Sequence, residues 1–578
     1  MHVQYLHIAF THYIALHCIT LHMSSSAATH DESVGVLVLL GSEAGQHRSS
    51  LKKINEFYGK LTNKKSFDIE TFDDFVRAFK ACNSIGLCTI LTRFVTNCYY
   101  LFESKSHITK HRKYYEKMIK YMIANTGPVY ETINVLNTFT NRNNSYPYAY
   151  HDASNASLFQ NIAKLQTGLC PDLLLNTVKV RPVADDNNAS SSTKIKVGFV
   201  SDFIITFHSV AKDRLGIIKH LCNDPEFDVK IMTRKKATHL FYDKIMADVN
   251  PSALENLIVT MEEDDLAANR KQIADQNFDI IVYPEIGMCQ QTRFIAFSRL
   301  APVQISTWGH SDTSGLPNID YFVSSKFFNS EEDQEHYSEK LVLFDSLGTY
   351  YYNIFDYFKE EIQVGNDNTD ADALRQDVIE KTGIANPTLY GCTQIYIKMH
   401  PSFAYMMNEI LKADENGVIV LLSTNKGDDE DVMFTNYIKT KVAHMKRVYF
   451  IYQSPFIQYV ANLKNCDLIL DYFPFGGLNS IIESFLLGKV CITCPGNRIS
   501  GKFTQGLYTK MGITEFTCAS EQEYVSKAVK YGKNHDERKK YEQCIMDNVH
   551  KIIQDQASVD EWKTFLKTRH NAMKGHTK

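Results

Sequence analysis

Glycine and proline are scarce, 27 and 14 in 578 residues, which argues against collagen, linker arrays and glycine-rich propellers. No charge of one sign dominates. The formal net charge is −4, so nothing pulls the whole chain toward nucleic acid or an acidic membrane, and any polyanion must be met by a local site. Outside the first 23 residues no window approaches the ~20 uninterrupted apolar residues of a membrane span. Paired CxxC motifs are missing too: the 13 cysteines are scattered and odd in number. The lone pair Cys491 and Cys494 lies in KVCITCPG, an apolar run that reads as a buried strand with small side chains rather than a zinc or redox site. Free thiols suit a reducing compartment, where the sequons at Asn143, Asn155 and Asn188 carry no meaning. With 44% hydrophobic and 22% charged residues, wholesale disorder is excluded, and the length suggests about three or four domains.

The first 23 residues are apolar but interrupted by His2, His7, His12, His17 and His22. They have no Lys or Arg before the apolar part, so a loose leader is expected over 1–50 rather than a cleaved secretory signal. The five-residue spacing of the histidines fits neither helix nor strand, which argues against a metal site. Apart from VGVLVLL (34–40), the chain turns helical from Leu51 to about 183: FDDFVRAFKAC and YYEKMIKYMIA repeat apolar residues every three or four positions. No 34-residue repeat is evident. The polar run ADDNNASSSTK (184–194) reads as a linker. Beyond it the period changes. IKVGFVSDF, FDVKIMT, FDIIVYP, VQISTWG and DYFVSS read as strands separated by helices, with 238–276 mostly helical. A second polar stretch, VGNDNTDADA (364–373), precedes the strands TLYGCT, GVIVLLS, RVYFIYQ, LILDYFP and VCITCPG. Strands alternating with helices give parallel sheets, so the fold expected is α/β: two Rossmann-like lobes over 194–363 and 374–545. An all-α domain over 51–183 precedes them and a helical segment over 546–578 closes the chain. Ligands of such sheets lie at the carboxyl ends of the strands.

The segment LDYFPFGGLNSIIESFLLGK (470–489) carries the most chemistry. A strand ends at Asp471, glycines 476 and 477 make a turn, and a helix starts near Asn479. Gly477, Asn479 and Ser480 sit where backbone N–H groups can hold an anion. Glu483, one turn on, is placed to accept hydrogen bonds from vicinal ribose hydroxyls. A plain helix cap is the ordinary alternative for this junction.

This segment, followed by VCITCPG, resembles the glycosyltransferase family of O-GlcNAc transferase and SPINDLY-type proteins, which includes bacterial cytoplasmic N-glucosyltransferases. The family pattern is LD-x-x-P-x-x-G-[GH]-x-[TS]-x-x-[DE] and then V-V-T-x-P-G. Four further blocks agree in order: KVGFVSDF-x(4)-HS (196–209), FDIIVYPEIGM (278–288), LAPVQISTWGHSDTSGLPNIDYFVSS (300–325) with HYSEKLV (336–342), and YGCTQIYIKMHPSF (390–403). The resemblance covers roughly 194–545. The 51–180 region lacks the tetratricopeptide signature of the animal enzyme.

What the resemblance implies is a GT-B fold of two facing lobes and an inverting transfer of sugar from a nucleotide donor to a protein hydroxyl or amide. No metal and no cofactor are implied beyond the UDP-sugar donor substrate. Donors rank UDP-GlcNAc, UDP-glucose, then GDP-fucose. Lys398 aligns with the family lysine on the diphosphate, and the family glutamine falls on Ile395, beside Gln394. His208 is the implied base or positioning residue, and Asp312 an alternative base. His310 and Ser314, with Thr313 and Gly315, belong to a loop lining the cleft; local turn capping is the competing reading for Asp312 and Ser314. Ser454 and Tyr459 complete the implied donor site. Three positions depart from the family: its Lys…His…Arg helix falls on Phe456, Tyr459 and Asn462, and Leu478 replaces a histidine beside the phosphate. Phe456 or Tyr459 could still stack on a base. The expected partners are a nucleotide-sugar and a protein acceptor, with neither nucleic acid nor membrane, in the cytoplasm or nucleocytoplasm; oligomerisation stays open. A non-catalytic scaffold of the same fold, or a GT-B enzyme acting on small molecules, are the alternatives.

Overall fold

The structure, a computed structural model, describes residues 69–80, 91–92, 96, 101–140, 146–178, 194–359 and 373–575. The expected leader, the run 34–40 and nearly all of both polar linkers lie outside them. The chain divides at Leu91/Thr92 into two units. The first contains the helix α1 (Ile69–Lys80), which buries Phe75, Ala78 and Phe79 on one stripe.

In the second unit, apolar runs flanked by polar residues become strands because each is buried on both faces. β1 (Ile195–Val200), β2 (Phe227–Thr233), β3 (Ile258–Thr260), β4 (Ile280–Tyr283), β5 (Val303–Thr307), β6 (Tyr321–Ser325) and β7 (Lys340–Phe344) form one parallel sheet, ordered 3-2-1-4-5-6-7. β8 (Thr388–Cys392), β9 (Gly417–Leu422), β10 (Val448–Ile451), β11 (Leu468–Leu470) and β12 (Cys491–Ile492) form a second, ordered 10-9-8-11-12. Every pairing is parallel, with Val197 opposite Val229 and Ile280 in the first sheet and Ile469 opposite Cys491 in the second. These are the two α/β lobes of a GT-B fold. β3 corrects the mostly helical reading of 238–276: its IVT is a three-residue edge strand beside β2. Cys491 and Cys494 are both buried and burial pushes their thiols up, so the strand reading of KVCITCPG stands.

Helices α2 (Lys105–Asn125) and α3 (Ala156–Leu169) pack on each other within the same unit as the lobes. α4 (Ser209–Cys222) follows β1; α5 (Pro401–Ala413) follows β8; α6 (Phe456–Asn465) follows β10; α7 (Asn479–Leu486) follows β11; α8 (Ile499–Met511) follows β12. α4 and α7 touch across the lobes, which sets the carboxyl edges of the two sheets face to face.

The last helix, α9 (Gln556–Gly575), returns to the first lobe. Trp562 is buried, donates from Nε1 to the Gly348 carbonyl at 2.9 Å and meets the Phe344 ring edge-on at 5.4 Å. Glu561 accepts from the backbone of Asp345 at 2.7 Å and of Ser346 at 2.9 Å, and Lys563 pairs with Asp224 at 2.8 Å. Trp562→Ala is expected to cost about 3–5 kcal/mol of stability, as buried Trp truncations do. The measurement is urea denaturation followed by circular dichroism; an unchanged midpoint would show that α9 does not hold the first lobe.

Candidate functional site

β11 ends one residue before Asp471, whose buried carboxylate organises the junction to α7. It accepts from Gly477 N at 2.8 Å, Gln394 Nε2 at 2.7 Å, Thr493 Oγ1 at 2.9 Å and Thr504 Oγ1 at 2.6 Å. Burial raises its pKa and those four donors oppose the rise. The turn is tight at Gly477, where a Cβ would stand 2.6 Å from Ser480 Oγ and 3.0 Å from Gln394 and would displace the serine hydroxyl. Lys398 enters the same turn: its Nζ donates to Gln394 Oε1 at 2.9 Å and to the Gly476 carbonyl at 3.2 Å, and lies 4.7 Å from the centroid of the Phe475 ring. Burial pulls its pKa down to about 8, against the pull of Asp471. The residue before α7, Leu478, offers no side-chain acceptor, so no side chain caps the first amides of the helix. A cation and an uncapped helix start therefore share one turn, an arrangement suited to an anion.

The glutamine of this turn is Gln394, 5% exposed, and not Ile395, which is 38% exposed. Alignment by spacing alone puts the glutamine one residue late. Asn479 and Ser480 stand at the start of α7 as the sequence indicates, but Asn479 turns its side chain to Asp213 on α4. Burial lifts the Asp213 carboxyl to about 7, with Arg214 beside it pulling the other way.

Glu483 is 3% exposed and is not free: Lys212, from α4 of the opposite lobe, holds it at 2.5 Å. The Lys212 amine lies 4.7 Å from the Phe207 ring centroid and 5.1 Å from that of Phe456. Tyr459 borders the same carboxylate; burial and then Glu483 raise its phenol. Phe456, one of the two rings that could stack on a base, meets Phe207 edge-on at 5.3 Å and Phe355 in a stack at 6.2 Å. Ser454 is exposed in the loop between β10 and α6.

In the first lobe His208 is the N-cap of α4, its Nδ1 accepting from Val210 N at 3.2 Å, and its ring stacks on Phe203 at 4.2 Å. Burial, and then Lys212, pulls its pKa to about 4, so the ring is neutral at pH 7. An accepting Nδ1 puts the ring proton on Nε2. The free edge of His208 is then a donor, and the only lone pair that could take a proton is committed to the helix cap. Of the two roles named for His208, base and positioning residue, this cap geometry suits the second.

The 308–315 loop is tied inward. The Ser314 N–H donates to Glu339 Oε1 at 2.7 Å, its hydroxyl donates to the same oxygen, and Thr313 Oγ1 reaches Glu339 Oε2 at 2.6 Å. Ser314 thus offers no donor to a cleft, because Glu339 consumes both. Asp312 accepts from Thr313 N at 2.9 Å and from Asn155 Nδ2 at 2.5 Å, as a turn cap does, and burial raises its pKa to about 6. Gly315, at φ 68°, lies against Phe159 of α3, where a Cβ would stand 2.5 Å away. His310 is buried with neither ring nitrogen hydrogen-bonded, its centroid 4.6 Å from that of Tyr146, and burial pulls its pKa to about 3.

Sequence reasoning missed two neighbours. Glu285, fully buried just past β4, has its pKa pushed up to about 8 by burial. Its signal was a lone acid directly after IIVYP. Asp152, at φ 52°, accepts from Asn497 N at 2.6 Å and Nδ2 at 2.8 Å, joining the helical segment to the loop after β12. Tyr150 meets Phe475 at 4.7 Å, so this segment forms a third wall beside the glycine turn.

No family model matches the chain. Over 286 residues it is 28% identical to the UDP-glucose:protein N-beta-glucosyltransferase of Actinobacillus pleuropneumoniae serotype 5b (strain L20), covering 48% of this chain and 42% of that protein. Over 237 residues it is 24% identical to a Hordeum vulgare protein named probable UDP-N-acetylglucosamine–peptide N-acetylglucosaminyltransferase SPINDLY, covering 40% of this chain and 23% of that one. The chain spans less than half the length of these curated relatives, which are named as protein glycosyltransferases. In three dimensions it is similar to a mutant of the Thermobaculum terrenum O-GlcNAc transferase, with a TM-score of 0.58 at 16% identity over 95% of this chain and 100% of that one, a likeness of fold.

A carboxyl whose pKa is higher folded than unfolded binds an extra proton in the folded state, so its contribution to stability is lost as pH rises. For Glu285 the window runs from its unfolded value, about 4.3, up to about 8. The melting temperature of Glu285→Gln minus that of the native protein is expected to grow across this range. A difference that stays flat from pH 4 to pH 8.5 would show that the carboxyl titrates normally.

Proposed function

We propose that this chain is a glycosyltransferase that moves a sugar from a UDP-sugar to a protein hydroxyl or amide, with inversion at the anomeric carbon and without a divalent ion. The observation that carries this reading is the meeting of Lys398 with the uncapped start of α7 in the Asp471 turn. The names of the relatives support the donor and acceptor classes. UDP-GlcNAc and UDP-glucose are the preferred donors, and GDP-fucose ranks below them. The working compartment in this reading is the cytosol, which the free thiols among the described residues suit.

In the reaction the acceptor oxygen or nitrogen attacks the anomeric carbon from the face opposite the diphosphate. The bond from that carbon to the phosphate oxygen breaks, and its electron pair goes to the diphosphate. Lys398 and the Asn479 and Ser480 amides, in the turn that Gly477 forms by donating to Asp471, meet the charge that develops there, where preorganised donors act most strongly. Glu483 and Tyr459 serve the nucleoside end. His208, donating from Nε2, orients substrate, and the acceptor's proton leaves to solvent or to Asp312. A second reading, a non-catalytic binding protein, draws on α6, whose Phe456, Tyr459 and Asn462 bring no cation.

Lys398→Ala is expected to lower turnover by about 10²-fold or more, as loss of one preorganised donor does, with an unchanged melting temperature. UDP affinity of the native protein is expected to fall as pH rises through about 8, where Lys398 loses its proton. Calorimetry with UDP, then a UDP-sugar assay with a peptide acceptor, measures both. Native protein that neither binds UDP nor turns over any sugar nucleotide would leave only the binding-protein reading.

A further inference from the structure

The second lobe is short of positive charge where a nucleoside diphosphate would lie. A diphosphate in ester linkage brings two negative charges. Lys398 supplies one positive charge and a helix start about half of one. α6, which flanks the site, adds none, presenting Phe456, Tyr459 and Asn462. Across the cleft stands an amine with no counterpart in the motifs: Lys212, 9% exposed, on the first turn of α4. Its only carboxylate partner within ion-pair distance among the described residues is Glu483, at 2.5 Å, and the Phe207 and Phe456 rings flank it.

We propose that Lys212 is a donor-binding residue contributed by the first lobe: when the nucleoside diphosphate sugar enters, its amine leaves Glu483 for the diphosphate, and the freed carboxylate takes the ribose hydroxyls. This rests on the UDP-sugar reading above. The distances allow the exchange. Glu483 lies one turn along α7 from the helix start, about 5.4 Å of rise, and a four-carbon lysine stem spans such a shift without backbone movement. α4 already runs alongside α7 at this place, since Asp213, next to Lys212, is hydrogen-bonded to Asn479. The exchange also answers the cost of breaking a buried pair, which is large when one ion is left unpaired. Here both ions find new partners: two hydroxyl donors for Glu483 and the phosphate oxygens for Lys212. Without ligand, the pair keeps a buried carboxylate and a buried amine neutral as a unit and ties the lobes together.

The test is the ratio of UDP to uridine affinity, measured by calorimetry, because only UDP carries the phosphates. Lys212→Met is expected to weaken UDP at least ten-fold while uridine binds equally or more tightly, its competitor for Glu483 having gone. Lys212→Arg is expected to restore UDP binding to within a few-fold. Because Lys212→Met leaves Glu483 buried and unpaired, the same comparison is made between Glu483→Gln and the double variant Lys212→Met/Glu483→Gln, in which no charge is stranded. The ratio is again expected to drop at least ten-fold when the lysine is removed. Equal loss of UDP and uridine, or an unchanged ratio in both backgrounds, would make the pair a structural tie and overturn the proposal. Native protein that binds no UDP would instead overturn the function proposed above, and this inference with it.

Discussion

Four hydrogen bonds converge on the carboxylate of Asp471, and each comes from a different piece of the second lobe. Gly477 belongs to the turn before α7, Gln394 to the loop after β8, Thr493 to the end of β12 and Thr504 to α8. A buried carboxylate is costly unless its lone pairs are filled, and here filling them fixes the geometry of everything around the anion site. Gln394, held on one side by Asp471, accepts from Lys398 on the other. The amine is therefore placed by a chain of two hydrogen bonds that begins at the end of a central strand. The glycine turn is bent by the same carboxylate, so cation and helix start cannot drift apart without undoing one shared centre.

The first lobe lines its side of the cleft with buried titratable groups. Asp213, Glu285 and Asp312 are each pushed up by burial, while His208 and His310 are each pushed down. All five shifts favour the neutral form, and the Lys212–Glu483 contact sets a charged pair across the cleft beside them. Electrostatic interactions are strong in such surroundings because little else screens them.

Most of the fold was legible because strand and helix announce themselves by different periods. β1, β2, β5 and β9 are runs of apolar residues bounded by polar ones, and their parallel pairing follows from the helices between them. β3 escaped because three residues at a sheet edge carry no period. In the site, Lys398 and the α7 junction were legible since their signal is local: a strand end, glycines and a helix start. Glu339, which takes both donors of Ser314, sits 25 residues away, and no motif within the loop could reveal it. Lys212 was illegible for a similar reason. In DRLGIIKHL and its flank it reads as one more solvated lysine, and only the docking of α4 on α7 buries it.

The return of α9 to the first lobe gives the chain two passages between lobes, one after Lys359 and one near Gln554, whose N–H donates to the Tyr351 carbonyl at 2.9 Å. Two tethers leave bodies less freedom than one. The first lobe is thus clasped by the chain's own tail through Trp562 and Glu561, and releasing that clasp would leave the two sheets joined only through the chain after Lys359.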